Sequence, residues 1–188
     1  LDRRIKMLER EIGLIRNSDI RDGTKKIVDM LEDWYRTYPP SISGKYHKHE
    51  LTMEKHIQDA VIFAEELIRE FNIVGTDRDI LLSGTILHDI GNSVKTFHGR
   101  KDEPGWKHYP ASGWSQTGGG QQHPIDGAKI IEENPFYKSD EVAKLVRCHM
   151  SHWFRHCPQP STFLEYCICT ADYFATKMPQ LKRQILGD

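Results

Sequence analysis

The residues able to do chemistry gather around Leu87-His88-Asp89-Ile90-Gly91, which closes an apolar run from Ile80 to Leu87. An imidazole and a carboxylate are costly to bury without partners. A metal ion would neutralise the carboxylate and take a lone pair from the imidazole. Equally, Asp89 could cap a helix end beside an incidental histidine. Four more groups stand elsewhere in the chain: His56, His123, His149 and Asp172. Each falls on a separate expected helix, near an inner face or an end. Singly they have plain explanations: His56, next to Ile57, could be a core histidine held by Asp59 at i+3. Asp172, in the apolar middle of a helix, needs a partner. Together His56, His88, Asp89, His123, His149 and Asp172 make a site for one or two first-row divalent metals, as facing helices of bundles commonly do. Such ligands suit iron or manganese best, with zinc, nickel, cobalt and magnesium as further candidates. Asp89, with two carboxylate oxygens, could bridge two metals.

The elements that must position these groups read as helices throughout. Leu1, Ile5, Leu8, Ile12 and Ile15 form a two-heptad stripe, either an oligomerisation arm or a face packed on its own chain. Residues 1–39 are therefore set apart as N-terminal helices, and residues 40–188 as the main domain. Asn17 to Gly23 reads as a polar break. Thr24 can cap a second helix that carries Ile27, Val28, Met30, Leu31, Trp34 and Tyr35. Pro39-Pro40 ends it. A third helix spans about Glu50 to Phe71. Asp77 can cap a fourth, which leads into His88-Asp89.

Periodicity then vanishes from Asn92 to Gln122, a stretch holding Gly99, Gly105, Gly113, Gly118, Gly119 and Gly120 with Lys95, His98, Arg100, Lys101 and Lys107. A loop of about 30 residues is unusual inside a compact domain. It is either a substrate cover or a flexible insertion. His123-Pro124 opens a fifth helix, with proline in the first turn. Further helices start at Asp140 and, capped by Ser161, before Phe163. Met178-Pro179 breaks the chain before a short final helix.

Composition narrows the partners. The chain has 188 residues, enough for one domain with a real core, and a net charge of −1. It shows no global pull toward nucleic acid or membranes. Its four cysteines, Cys148, Cys157, Cys167 and Cys169, lack paired zinc spacing and are too few for a disulfide scaffold. A reducing cytosol is the expected compartment. No apolar run reaches the ~18 residues of a membrane span.

The ordered series His56…His88-Asp89…His123…His149…Asp172 resembles the HD-domain metal-dependent phosphohydrolase superfamily, over about Pro40 to Lys177. The segments Tyr46-His47, Leu87 to Gly91, His123 to Ala128, Cys148-His149-Met150 and Ala171-Asp172-Tyr173 are similar to those of its two-metal members, which include YqeK-type, YhaM-type and HD-GYP proteins. The resemblance implies an all-α HD-type bundle; the long loop between the HD helix and the next ligand helix is this chain's own feature and is not standard for YqeK-type members. It implies one metal on His56, His88, Asp89 and Asp172, and a second sharing Asp89 with His123 and His149. Many relatives carry lysine where Asn92 stands, so Lys95 is a substitute catalytic candidate beside Asp89. The GYP triplet is absent, which disfavours cyclic di-GMP.

The expected reaction is hydrolysis of a phosphate ester or anhydride in a small phosphorylated substrate of nucleotide type, through a water activated by two metals. Tyr46, His47, Lys95, His98, Arg100 and His152 are the candidate substrate contacts. For Lys95 and Arg100 solvated loop charge is the alternative. Two rival readings remain. His56-Ile57-Gln58-Asp59-Ala60 resembles a segment of di-iron oxygenases in the same superfamily. A nonenzymatic, metal-stapled signalling module is the other.

Overall fold

The computed structural model describes residues 7–31, 33–37, 40, 51–94, 119–135 and 137–186. Its elements are α1 (Glu9–Gly13), α2 (Ser18–Asp29), α3 (Asp33–Thr37), α4 (Met53–Glu70), α5 (Gly75–Leu87), a 3-10 turn (Ile90–Val94), α6 (Gly119–Glu133), α7 (Asp140–Cys148) and α8 (Phe163–Leu186). The described residues contain no strand, so the architecture is all-α.

The bundle is organised around α5. Asp79 and every residue from Ile80 to Leu87 are buried, so beyond its first turn this helix has no solvent face. It packs against α1, α2, α4, α7 and α8. A helix apolar all round is a core helix, and the polar groups on it must then be paired. Ser83 bonds Thr24 at 2.7 Å, Thr85 donates to the Leu81 carbonyl at 2.8 Å, and Asp79 accepts from the amides of Arg16 and Asn17 at 3.1 and 2.7 Å. The Asp79 contacts fasten the α1–α2 turn to the hub helix.

Leu8, Ile12 and Ile15 are buried in the same core cluster as Leu81 and Ile86. This described part of the N-terminal stripe is covered by the chain itself; Leu1 and Ile5 lie outside the described residues. The remaining helices shield the hub from the other side, α4 against α8 and α6 against α7. All four cysteines are buried and free. No helix among the described residues is long and apolar enough to cross a membrane.

Several helix boundaries differ from expectation, each for a local reason. The second helix starts at Ser18, because Asn17 accepts from the amides of Asp19 and Ile20 at 3.0 and 3.2 Å, and asparagine is among the strongest N-caps. Thr24 is thus mid-helix, bonding the Ile20 carbonyl at 2.7 Å. Gly23, read as part of a break, lies within α2, at a point where the Tyr137 ring packs in the space a Cβ would take. The same helix stops at Asp29, leaving Met30 63% exposed and Tyr35 on a separate α3.

The hub helix begins at Gly75, whose φ of 61° suits glycine. Asp77 sits inside its first turn, where a carboxylate favours the helix dipole. Helix α6 starts at Gly119, one turn ahead of His123, with Pro124 inside it. Thr162, rather than Ser161, caps α8. Its hydroxyl accepts from the Glu165 amide at 3.3 Å, while the Glu165 carboxylate accepts back from the Thr162 amide at 3.1 Å. Helix α8 also runs through Pro179 to Leu186; proline removes one backbone bond there without ending the helix.

Candidate metal centre

The six expected ligands converge on one buried point. Relative exposures are 0% for His88 and His149, 2% for His56, 4% for His123 and Asp172, and 5% for Asp89. They arrive from α4, the end of α5, α6, the end of α7 and the middle of α8. Burying six such groups together is unfavourable unless each satisfies another, and the geometry shows how they do so.

Two of the histidines are fixed by their own helices. His88 follows the last residue of α5, and its Nδ1 lies 2.7 Å from the Thr85 carbonyl. His149 follows the last residue of α7, and its Nδ1 lies 2.6 Å from the Val146 carbonyl. A carbonyl oxygen only accepts, so both Nδ1 atoms carry the proton. In the neutral rings both Nε2 atoms therefore present lone pairs. The helix ends leave these carbonyls without an intrahelical donor, so one bond settles the carbonyl and the tautomer together.

Those lone pairs face two further imidazoles across Asp89. His56 Nε2 is 3.1 Å from His88 Nε2, and His123 Nε2 is 3.0 Å from His149 Nε2. Asp89 divides between the pairs. Its Oδ2 lies 3.5 Å from both His56 and His88 Nε2; its Oδ1 lies 2.9 Å from His123 and 3.8 Å from His149 Nε2. Asp172 Oδ1 closes the first group, 3.2 Å from His56 and 3.7 Å from His88. Asp172 Oδ2 is buried with no hydrogen-bond partner among the described residues.

Two overlapping sets, His56/His88/Asp172 and His88/Asp89/His149, are spaced to hold a metal ion. The donor chemistry fits a divalent cation. Nitrogen lone pairs, two carboxylates and an unsatisfied buried oxygen point at common spaces, with His and Asp as suitable ligands.

The electrostatics are those of a cluster held together by opposite charge. Burial would raise Asp89, but the charges of His88 and His123 and the His123 bond hold it well below the usual carboxylate range. Asp172 is lowered in the same way: burial opposes, and the bond to His56 with the histidine charges prevails. Burial pushes the His149 imidazole down to about 3, helped by the charges of His123 and His88. For His56 burial is outweighed by the bond to Asp172 and the charges of Asp172 and Asp89, and its pKa rises.

One participant had not been read as such. Asn92, 2% exposed, donates its side-chain amide to Asp89 Oδ1 at 2.9 Å. It holds the carboxylate's orientation from three residues further along the chain. That i+3 spacing was the available signal, since a buried amide so placed can reach back to the carboxylate. Gly91, between them, is needed for approach: a Cβ there would collide with the His123 carbonyl and stand 2.7 Å from the Gly127 amide nitrogen. The absence of that Cβ lets α6 bring His123 against Asp89.

The other expected residues lie elsewhere. Asp59 pairs with Lys55 at 2.5 Å on α4. His152 is exposed, outside the buried set, and meets the rings of Trp153 and Tyr173. Tyr46, His47, Lys95, His98 and Arg100, and most of the long stretch before His123, fall outside the described residues.

An all-α bundle that centres a His-Asp pair among four more buried imidazole and carboxylate groups defines a class of helical domain whose centre fits a metal ion. The chain belongs to the HD domain family, whose model matches residues 45–177. No curated protein and no solved structure matches the chain. The HD family consists largely of metal-dependent phosphohydrolases, so membership supports hydrolase activity at that general level.

Proposed function

We propose that this chain hydrolyses a phosphate ester or anhydride, in a nucleotide, using two divalent cations, iron or manganese foremost. The observation that carries the reading is the division of Asp89: one oxygen faces His56 and His88, the other faces His123 and His149. In this reading His56, His88, Asp89 and Asp172 hold one cation, and Asp89, His123 and His149 hold the other.

Cations bound there would supply Lewis acidity toward phosphoryl oxygens and lower the pKa of a nearby water. The protein's own contribution is preorganisation. Thr85 and Val146 keep the His88 and His149 lone pairs turned inward. Asn92 holds the Asp89 carboxylate so that each oxygen keeps its side. Burial of all six groups lowers the local dielectric, which would strengthen the pull of cations held there on a developing negative charge.

The test is turnover of a nucleotide panel and of generic aryl phosphates by manganese-loaded protein without oxygen. Phosphate release under those conditions supports the reading, provided that it disappears in Asp89→Ala. Turnover that requires oxygen would instead favour an oxygenase, and activity surviving in Asp89→Ala would displace the site.

A further inference from the structure

The end of α7 and the middle of α8, which carry His149 and Asp172, adjoin aromatic side chains that the metal centre does not use. After His149 the chain turns tightly, with the amides of Trp153 and Phe154 both 3.0 Å from the Met150 carbonyl. Trp153 is four residues past His149, about one helical turn or ~5.4 Å of travel. Tyr173 directly follows Asp172, so their Cα atoms are about 3.8 Å apart. Trp153 and Tyr173 thus follow His149 and Asp172 closely along the chain.

These rings stack, with centroids 5.6 Å apart and planes 28° from parallel. His152 meets both edgewise, at 6.2 and 6.1 Å. Lys177 Nζ lies 5.8 Å over the Tyr173 ring. The group is not sunk in the core: Tyr173 is 39% exposed, its neighbour Phe174 is 42% exposed, and Trp153 is half-buried. Contiguous exposed aromatic surface marks a ligand contact more often than scattered apolar residues do.

We propose that Trp153 and Tyr173 form a stacking shelf for the base of a nucleotide whose phosphate is held at the metal centre. This rests on the nucleotide reading above and adds the recognition element to it. A base offers a flat π face to the rings, and stacking of this kind accepts any base. Lys177 and His152 give the same surface cationic and hydrogen-bonding character, which suits the anionic sugar-phosphate that must follow the base inward. An aliphatic occupant would gain apolar burial alone.

The experiment is calorimetric titration of the full-length, manganese-loaded chain with AMP, CMP and inorganic phosphate. The wild type is expected to bind both nucleotides at least about tenfold more tightly than phosphate, in line with base–aromatic stacking. Trp153→Ala and Tyr173→Ala should each remove most of that advantage and leave phosphate affinity unchanged. Trp153→Phe should retain it, which separates stacking from loss of structure. Equal affinity for nucleotide and phosphate in the wild type overturns the proposal, as does an advantage that survives both alanine variants. Alanine variants that alter the sedimentation coefficient while leaving the advantage intact assign the patch to a second copy of the chain, and also overturn it. A Trp153-dependent preference for AMP without any phosphate release would uphold the shelf and count against hydrolysis.

Discussion

His88 gives its Nδ1 proton to the carbonyl of Thr85 at 2.7 Å, three residues back along the same helix. His149 repeats the arrangement with Val146 at 2.6 Å. Two candidate ligands at the ends of different helices are thus oriented by backbone alone. Such support normally raises ligand basicity and fixes the ring, and neither carbonyl can be removed by changing a side chain.

The two sides of Asp89 should separate in metal analysis. Purified wild type is expected to carry two equivalents, His149→Ala about one, and Asp89→Ala almost none, with ligand loss weakening affinity by at least the ~10–100-fold typical of supporting residues. Inductively coupled plasma mass spectrometry after dialysis reads this directly. A His149→Ala protein still holding two equivalents would dismiss the second centre.

Asn92 should matter through Asp89. Asn92→Ala removes the 2.9 Å bond to Oδ1 and leaves a carboxylate oxygen less constrained. Metal affinity or turnover is expected to fall roughly 10–100-fold, with the far-UV circular dichroism spectrum unchanged. Competition with a fluorescent chelator measures it; wild-type affinity in this variant would show that the amide only fills space.

Acid should destabilise the metal-free protein through His149. Burial lowers this imidazole to about 3, whereas in the unfolded chain it titrates near about 6.5. Between those values the unfolded chain binds a proton that the native protein does not, so stability falls as the pH drops through that window. Asp89 and Asp172, both lowered, add the same trend from about pH 4 downward: their stabilisation is present above the unfolded carboxylate value and is lost as the pH falls through the folded one. His56 is raised and acts oppositely. Its contribution is complete below about 6.5 and fades as the pH rises through its folded value. Urea midpoints of chelator-treated protein should therefore drop from about pH 6.5 to about pH 5, with a shallower slope in His149→Gln. Identical slopes would place the acid lability elsewhere.

Gly91→Ala should couple folding to metal retention. The added methyl meets backbone atoms of His123 and Gly127 rather than a movable side chain, so α6 must shift. A cost of about 1–3 kcal/mol is expected, together with loss of metal on the His123 side. Thermal unfolding with and without manganese tests this. A variant of native stability and metal content would mean that α6 accommodates the methyl freely.

Much of the site was legible because its chemistry resides in side chains that are rarely buried. His56, His123, His149 and Asp172 stood out on apolar faces, and α8 confirmed Asp172 as buried at 4% exposure. The supports were harder to see. The Thr85 and Val146 carbonyls have no residue-type signature, and the role of Asn92 emerges only once Asp89 is placed. Helix identity followed from periodicity, whereas the ends depended on competition between neighbouring caps. Asn17 prevailed over Thr24, and Thr162 with Glu165 prevailed over Ser161. Pro179 misled because one missing backbone bond does not end a long helix.

The burial of α5 on every side beyond its first turn has a consequence for how sequences of this kind can change. From Asp79 to Leu87 almost no position lets a substitution go unnoticed, since Leu81, Leu82, Ser83 and Thr85 are all fully enclosed in a close-packed interior. The helix serves as a datum against which the other ligand helices are set. On the proposed reading, new specificity would enter from the periphery, through residues such as Trp153 and Tyr173, while the proposed centre stays where it is.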